Sequence, residues 1–171
     1  MILDLASADD PRVSDYRAIP DPALLRDRGL FIAEGRLVVE RLLAQDRFPV
    51  RSVLVNRAAL AQLEAPIARR PALTVLVADT PMLGAIGGFD FHRGCLAVGE
   101  RAPLAAIEDL IAPSAPGDLL VVAEGLAQAD NVGSLFRNAA AFGARAVLLD
   151  AATSDPLYRK TIRKSLGTTL P

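Results

Sequence analysis

Four polar side chains that could take part in chemistry stand close together in the C-terminal third of the chain. An amide, a hydroxyl, a guanidinium and a second amide fall on one side of a predicted helix, at 100° per residue. We call them the polar strip: Asn131, Ser134, Arg137 and Asn138. The apolar residues of the same segment form the opposite face, which we predict packs on a sheet. They are Val132, Leu135, Phe136, Ala139 and Phe142.

The polar strip has two interpretations. On periodicity alone it is the solvated flank of an amphipathic helix, which is the commoner case. Its position along the chain favours a functional interpretation. Residues 118–125 form a buried-strand pattern that ends at Gly125, and residues 144–150 form a second one. Ligands of open α/β sheets bind outside the carboxyl ends of the strands, beside helix N-termini, and Asn131 lies at such an end.

Composition and charge exclude several classes of protein. Apolar residues make up 51% and charged residues 23% of the 171 residues, which is an ordinary globular balance for one large domain or two small ones. A net charge of -1 argues against coating nucleic acid through bulk charge. Seventeen of the nineteen cations are arginine, and the two lysines are Lys160 and Lys164. This excess reflects either genome composition or phosphate binding, for which arginine is the better bidentate ligand.

Metal, disulfide and membrane signals are weak. The single cysteine, Cys95, cannot form an internal disulfide, and the single histidine, His92, is not at a familiar metal-ligand spacing from it. We therefore interpret both residues as structural. We find no apolar run of about 18 residues and no secretory signal at the start, so the expected location is the cytoplasm, with no membrane partner.

The order of helical and strand patterns predicts two units. Residues 21–100 alternate strands and helices, which predicts a mainly parallel sheet with helices packed on it. Residues 1–20 precede this alternation as an N-terminal extension. Residues 101–117 contain three prolines, one serine and one glycine around a short helical stretch. We interpret them as an interdomain linker, with a surface loop as the alternative.

The motifs in these units resemble a known family. The segment "NVGSLFRNAAAFGA" resembles the first motif of the SpoU family of RNA ribose 2'-O-methyltransferases, in the SPOUT superfamily, and "DPLYRKTIRKSLGTTLP" resembles the next segment of that family. Upstream, "FIAEGRLVVERLL" and "HRGCLAVGE" are similar to the start and the last strand of its accessory domain, which resembles ribosomal protein L30e. The similarity spans residues 20–171 and is most specific in 124–143 and 155–171.

The resemblance implies a fold. Residues 21–100 would be an L30e-like α/β/α RNA-binding domain. Residues 118–171 would be the first half of a Rossmann-like parallel sheet of the SPOUT trefoil-knot type. In the family, later segments form the knot, bind S-adenosylmethionine and build the homodimer. The cofactor pocket is therefore expected beyond Pro171, with no cofactor-binding residue in this chain, and we expect the knot region to be missing and this chain to be an incomplete, inactive part of the enzyme.

The resemblance also implies roles for four residues. Arg137 matches the family's proposed activator of the ribose hydroxyl, and Asn131 matches a residue that helps to form the catalytic site. Because the pKa of arginine exceeds about 12, we expect Arg137 to act through a neighbouring RNA phosphate or by stabilising the alkoxide, with Asn131 orienting Arg137 or the substrate. Arg163 and Ser165 would bind an RNA phosphate.

Three functions remain open from the sequence. The first is a S-adenosylmethionine-dependent 2'-O-ribose methyltransferase acting on ribosomal or transfer RNA. The second is a non-catalytic L30e-like RNA-binding module. The third is a doubly wound nucleotide-binding domain with unrelated chemistry, which is disfavoured because "EGLAQADNVG" lacks the glycine spacing that a pyrophosphate requires.

Overall fold

A five-stranded sheet is built from the first hundred residues in this computed structural model, which describes residues 1–17, 20–88, 94–111 and 115–170. The strands are β1 (Ile2–Asp4), β2 (Leu30–Glu34), β3 (Val50–Val55), β4 (Thr74–Val77) and β5 (Cys95–Glu100). Their order across the sheet is β1-β4-β3-β5-β2. The helices between them are α1 (Asp21–Arg28), α2 (Arg36–Ala44), α3 (Arg57–Gln62), α4 (Glu64–Ala68) and α5 (Thr80–Gly87).

This sheet is mixed, whereas the sequence predicted a mainly parallel one. Strands β1, β4 and β3 are parallel, but β5 runs antiparallel to both β3 and β2. The chain enters β5 at the carboxyl end of β3, because α5 does not carry it back to the amino ends of the parallel strands. Asn56, which follows β3, donates its N–H to the carbonyl of Gly94, just before β5. The alternation of helices and strands along the sequence does not show at which end of the sheet the next strand begins, so it does not predict the direction of that strand.

The local helix signals explain most element boundaries. Gly29 ends α1 in the left-handed region at φ 62°, where its N–H bonds the carbonyls of Leu24 and Leu25. The alanine-rich stretch after Asn56 forms two helices, α3 and α4. Pro66 has no N–H for the carbonyl of Gln62, which interrupts the ladder at the point where the two helices meet.

The predicted N-terminal extension contributes to the sheet. Its strand β1 pairs in parallel with β4, and Tyr16 from the 3-10 turn at Pro11–Tyr16 is buried. The Tyr16 hydroxyl lies 2.8 Å from the hydroxyl of Ser52. Because β1 has three residues, its side chains are too few to show the alternation by which strands are predicted.

A second, parallel sheet of two strands follows. Helix α6 (Ile107–Ile111) lies within the predicted linker, and β6 (Leu120–Ala123) and β7 (Ala146–Leu149) pair in parallel. Helix α7 (Ala129–Ala141) makes the crossover between these strands. This is the strand-helix-strand unit that the sequence predicted.

The last described segment packs into the core of the first sheet. Helix α8 (Arg159–Lys164) follows β7, and Leu157, Ile162 and Leu170 join the buried cluster that contains the core residues of α2 and β3. The sequence analysis assigned this segment to the second unit. Its apolar side chains complete the core of the first unit, and α8 also lies against α7.

A substitution of Ile162 tests the packing of α8 in this core. Its side chain is 0% exposed, so Ile162→Ala is expected to lower the free energy of unfolding by about 2 to 5 kcal/mol. Ile107→Ala removes the same atoms from an exposed position and should change stability by less than about 0.5 kcal/mol. Urea denaturation followed by circular dichroism measures both variants. Equal stability of the two would contradict the placement of α8 in the core.

Candidate functional site

The loop before α7 is held against the loop that follows β7. The N–H of Gly125 donates to Oδ1 of Asp150 at 3.1 Å, and the N–H of Leu126 donates to the Thr153 hydroxyl at 3.1 Å. That hydroxyl donates to Asp150 at 2.5 Å. The pKa of Asp150 is lowered, mainly by the hydrogen bond from the Thr153 hydroxyl and then by the one from the Gly125 N–H. The start of α7 is thereby fixed at the carboxyl edge of β6.

The structure places the polar strip on the open side of α7. Asn131, Arg137 and Asn138 are exposed and Ser134 is half-buried, while Val132 and Ala139 are buried on the opposite side. The prediction for Phe142 is wrong, because its side chain is 80% exposed. Phe142 is the residue that caps the end of α7, so the angular position computed for a helical residue does not apply to it.

Asn131 and Arg137 do not act on each other in this structure. Six residues of α-helix separate them by about 9 Å along the axis and about 120° around it. Within the described ranges, neither side chain has a hydrogen bond or an ion pair. Asn131 is thus not placed to orient Arg137 through its amide, and the two side chains can contact different parts of a substrate.

Gly133 allows α8 to lie directly against α7. A Cβ at this position would be 2.7 Å from the Cβ of Lys164 and 2.7 Å from the carbonyl oxygen of Thr161. Real Cβ atoms do not approach that closely, so a side chain here would displace one helix. The glycine of the first motif therefore fixes the distance between the polar strip and α8.

Helix α8 carries four cations in six residues, including both lysines of the chain: Arg159, Lys160, Arg163 and Lys164. Lys160 lies 2.5 Å from Asp130 of α7. The pKa of Asp130 is lowered, first by this contact with Lys160 and then by the charges of Lys164 and Arg163. The two helices thus bring a cluster of positive charge beside the first turns of α7.

Ser165 is not exposed to a ligand. It is 0% exposed, and its hydroxyl donates to the carbonyl of Ile162 at 2.9 Å and accepts from the N–H of Gly167 at 3.2 Å. In this conformation it holds the turn after α8, in which Gly167 has φ 83°. A direct phosphate contact by Ser165, as predicted, would require this turn to open, because the hydroxyl has no access to solvent. Arg163 is exposed, with its guanidinium 3.7 Å from Glu34.

The described residues suggest no metal site. No group of three His, Cys, Asp or Glu residues in the described ranges could hold a metal ion; His92 lies outside those ranges, and Cys95 is buried. A cleft of about 500 Å³ lies at the carboxyl ends of β1, β3 and β4. None of its lining residues comes from 118–170, so it does not belong to the polar strip. In the same ranges, no helix is long and apolar enough to cross a membrane.

Comparison with known proteins identifies the family. No family model matches the chain. It is 34% identical over 170 residues to uncharacterized tRNA/rRNA methyltransferases of Mycobacterium bovis and Mycobacterium tuberculosis. A solved RNA 2'-O ribose methyltransferase matches 99% of the chain with a TM-score of 0.72 and 25% identity. The chain is therefore a homologue of these RNA methyltransferases, and it shares the fold of solved SpoU and TrmH-family structures.

Other solved methyltransferases have the same fold. An rRNA methyltransferase from Sinorhizobium meliloti with bound AdoMet matches 99% of the chain with a TM-score of 0.78 at 23% identity. The SpoU methyltransferase AviRb from Streptomyces viridochromogenes with AdoMet matches 94% with a TM-score of 0.72 at 22% identity. This SpoU homologue spans 57% of the length of its mycobacterial relatives and 62% of the Sinorhizobium chain.

Sequence reasoning missed two features of the site. Gly133 was noted only as part of a motif, although a glycine inside a helix costs about 1 kcal/mol relative to alanine and so indicates a close approach. Glu34, which the sequence did not single out as part of the site, is buried against α8. No local pattern could reveal its partner, which is more than a hundred residues away.

Proposed function

We propose that the chain is the RNA-binding and first catalytic part of a S-adenosylmethionine-dependent 2'-O-ribose methyltransferase that acts on rRNA or tRNA. The observation that carries the proposal is the guanidinium of Arg137, which is exposed on α7 and has no hydrogen bond or ion pair to the described residues. Helix α8, with its four cations, packs against the first turns of the same helix. The homologues named above are tRNA/rRNA or RNA 2'-O ribose methyltransferases by description, which supports the same substrate class.

Arg137 would act on the ribose hydroxyl that accepts the methyl group. When the 2'-oxygen attacks the methyl carbon, its proton must leave and negative charge develops on it. A guanidinium stays protonated and cannot serve as a base, so Arg137 would stabilise that charge while the proton passes to solvent, or hold a neighbouring phosphate that takes the proton. Asn131, one and a half turns earlier on α7, would hold a different part of the nucleotide. Arg163 would bind a phosphate.

The cofactor enters the proposal only through the resemblance. S-adenosylmethionine would supply the methyl group as a sulfonium. The resemblance implies that later segments of the family's fold form the cofactor pocket, so we assign no residue of this chain to it. A homodimer and a cytoplasmic location are parts of the same proposal.

A second candidate function is a non-catalytic L30e-like RNA-binding module. The observation that favours it is the group of four cations on α8, which can bind RNA phosphates without any catalytic group. In that case α8 and the first sheet would bind RNA without methyl transfer.

Methyl transfer from labelled S-adenosylmethionine to unmodified total RNA distinguishes the two candidates. The product of the complete gene and residues 1–171 are assayed side by side. Label in RNA with the complete product supports the enzyme. Binding of RNA without any transferred label, by both proteins, supports the module.

A further inference from the structure

Glu34 is a buried carboxylate at the end of β2, where most neighbouring positions are apolar. Its side chain is 9% exposed, and its Oε2 atom lies 3.7 Å from Nη1 of Arg163, whose side chain is 46% exposed. This distance is that of an ion pair without a hydrogen bond. The pair joins the first sheet to the helix that lies against α7.

Burial of the Glu34 carboxylate lowers the stability of the fold. A carboxylate taken out of water is destabilising, and attraction to one partially exposed arginine offsets only part of that cost. A well-packed apolar residue at such a position is commonly as stable or more so. The presence of glutamate therefore points to what the pair does to Arg163 rather than to stability.

The backbone around Arg163 is already fixed to the first sheet. The guanidinium of Arg41 donates to the carbonyl of Leu166 at 2.8 Å, and the N–H of Arg159 donates to Oδ2 of Asp21 at 2.9 Å. With both ends of α8 held, the remaining freedom is in the long Arg163 side chain. Its guanidinium has no hydrogen bond to the described residues, which leaves its planar set of five N–H donors free for a ligand.

We propose that Glu34 is a positioning residue that orients Arg163 so that the guanidinium receives an RNA phosphate. This inference rests on the proposed function and adds a residue of the first sheet to the RNA-binding site. Glu34 acts through Arg163 and does not touch RNA itself. Because Glu34 is negative, a purely electrostatic view makes the opposite prediction, namely that its removal strengthens RNA binding.

Binding of a labelled, in vitro transcribed tRNA tests the proposal, since phosphate contacts do not depend on base sequence. Fluorescence anisotropy at several salt concentrations compares wild-type protein with Glu34→Gln, Arg163→Gln and the double variant. Glu34→Gln is expected to weaken binding by about threefold to tenfold, as for one charge-assisted contact, despite the loss of a negative charge. The slope of log affinity against log salt should fall by about 0.7 to 0.9 in both single variants.

The double variant should bind no more weakly than Arg163→Gln, because both changes remove the same contact. Glu40→Gln is the matched control: it removes an exposed carboxylate that pairs with Arg36, and should leave affinity unchanged or slightly higher. Glu34→Asp keeps the charge but shortens the side chain, and it gives the same test if Glu34→Gln does not fold. It should also weaken binding.

The outcomes separate this inference from the proposed function. Glu34→Gln binding tRNA as tightly as wild type or more tightly, with Arg163→Gln weakened, overturns the positioning role alone. So does a lower melting temperature of Glu34→Gln with unchanged affinity and salt slope, since that shows a merely structural pair. Wild-type protein that binds no tRNA overturns this inference and counts against RNA as the substrate.

Discussion

Arg137→Ala is expected to abolish methyl transfer to RNA while leaving the protein folded. The guanidinium is exposed and unpartnered among the described residues, so its loss should change stability by less than about 0.5 kcal/mol. Removing one group that stabilises charge in a transition state typically lowers kcat by about 100-fold to 1,000-fold. Single-turnover methylation by the complete gene product, together with thermal melts, measures both effects.

Two further variants make this test specific. Arg137→Lys keeps the charge but loses the planar fork, so it should fail nearly as badly as alanine. Arg36→Ala removes an exposed arginine of α2 whose partner among the described residues is Glu40, and it should retain normal activity. If Arg137→Ala retained the wild-type rate, Arg137 would be only part of a solvated helix flank.

Gly133→Val is expected to give the largest loss of stability among single changes in α7. Its Cβ would meet the carbonyl of Thr161 and the Cβ of Lys164 at 2.7 Å, and relief requires α8 to move. Overpacking of this kind costs about 1 to 3 kcal/mol and sometimes more. For a protein of this size each kcal/mol lowers the melting temperature by about 2 to 4 °C. Differential scanning calorimetry measures the shift.

Gly133→Ala and Ser134→Ala calibrate this expectation. Alanine gains about 1 kcal/mol of helix propensity over glycine, which offsets part of the clash. Gly133→Ala should therefore lower the melting temperature less than Gly133→Val. Ser134→Ala alters the neighbouring half-buried position without adding atoms and should be close to wild type. If Gly133→Val were as stable as Ser134→Ala, α7 and α8 would not lie as close together as we describe.

The fold was predictable from the sequence where its signals are local. The strand patterns at residues 118–125 and 144–150, and the helical pattern between them, led to the correct elements β6, β7 and α7. The direction of β5 and the pairing of β1 were not predictable, because both depend on which strand edges are available after the rest of the sheet has formed. The second sheet is parallel as expected.

The candidate site was predictable only in part, for the same reason. The exposure of Asn131 and Arg137 follows from helical periodicity and was correctly predicted. The burial of Ser165 and the pairing of Glu34 with Arg163 depend on how α8 packs against the first sheet. Contacts between residues more than a hundred positions apart leave no periodic signal in either segment.

Identification of the methylated atom tests the central claim most directly. RNA incubated with S-adenosylmethionine and the complete gene product is digested to nucleosides, which are separated by mass spectrometry. We predict a 2'-O-methylated nucleoside that is present with wild-type protein and missing with Arg137→Ala. A methyl group on a base, or a 2'-O-methylated nucleoside formed equally by Arg137→Ala, would contradict the assignment of this chain to ribose methylation through Arg137.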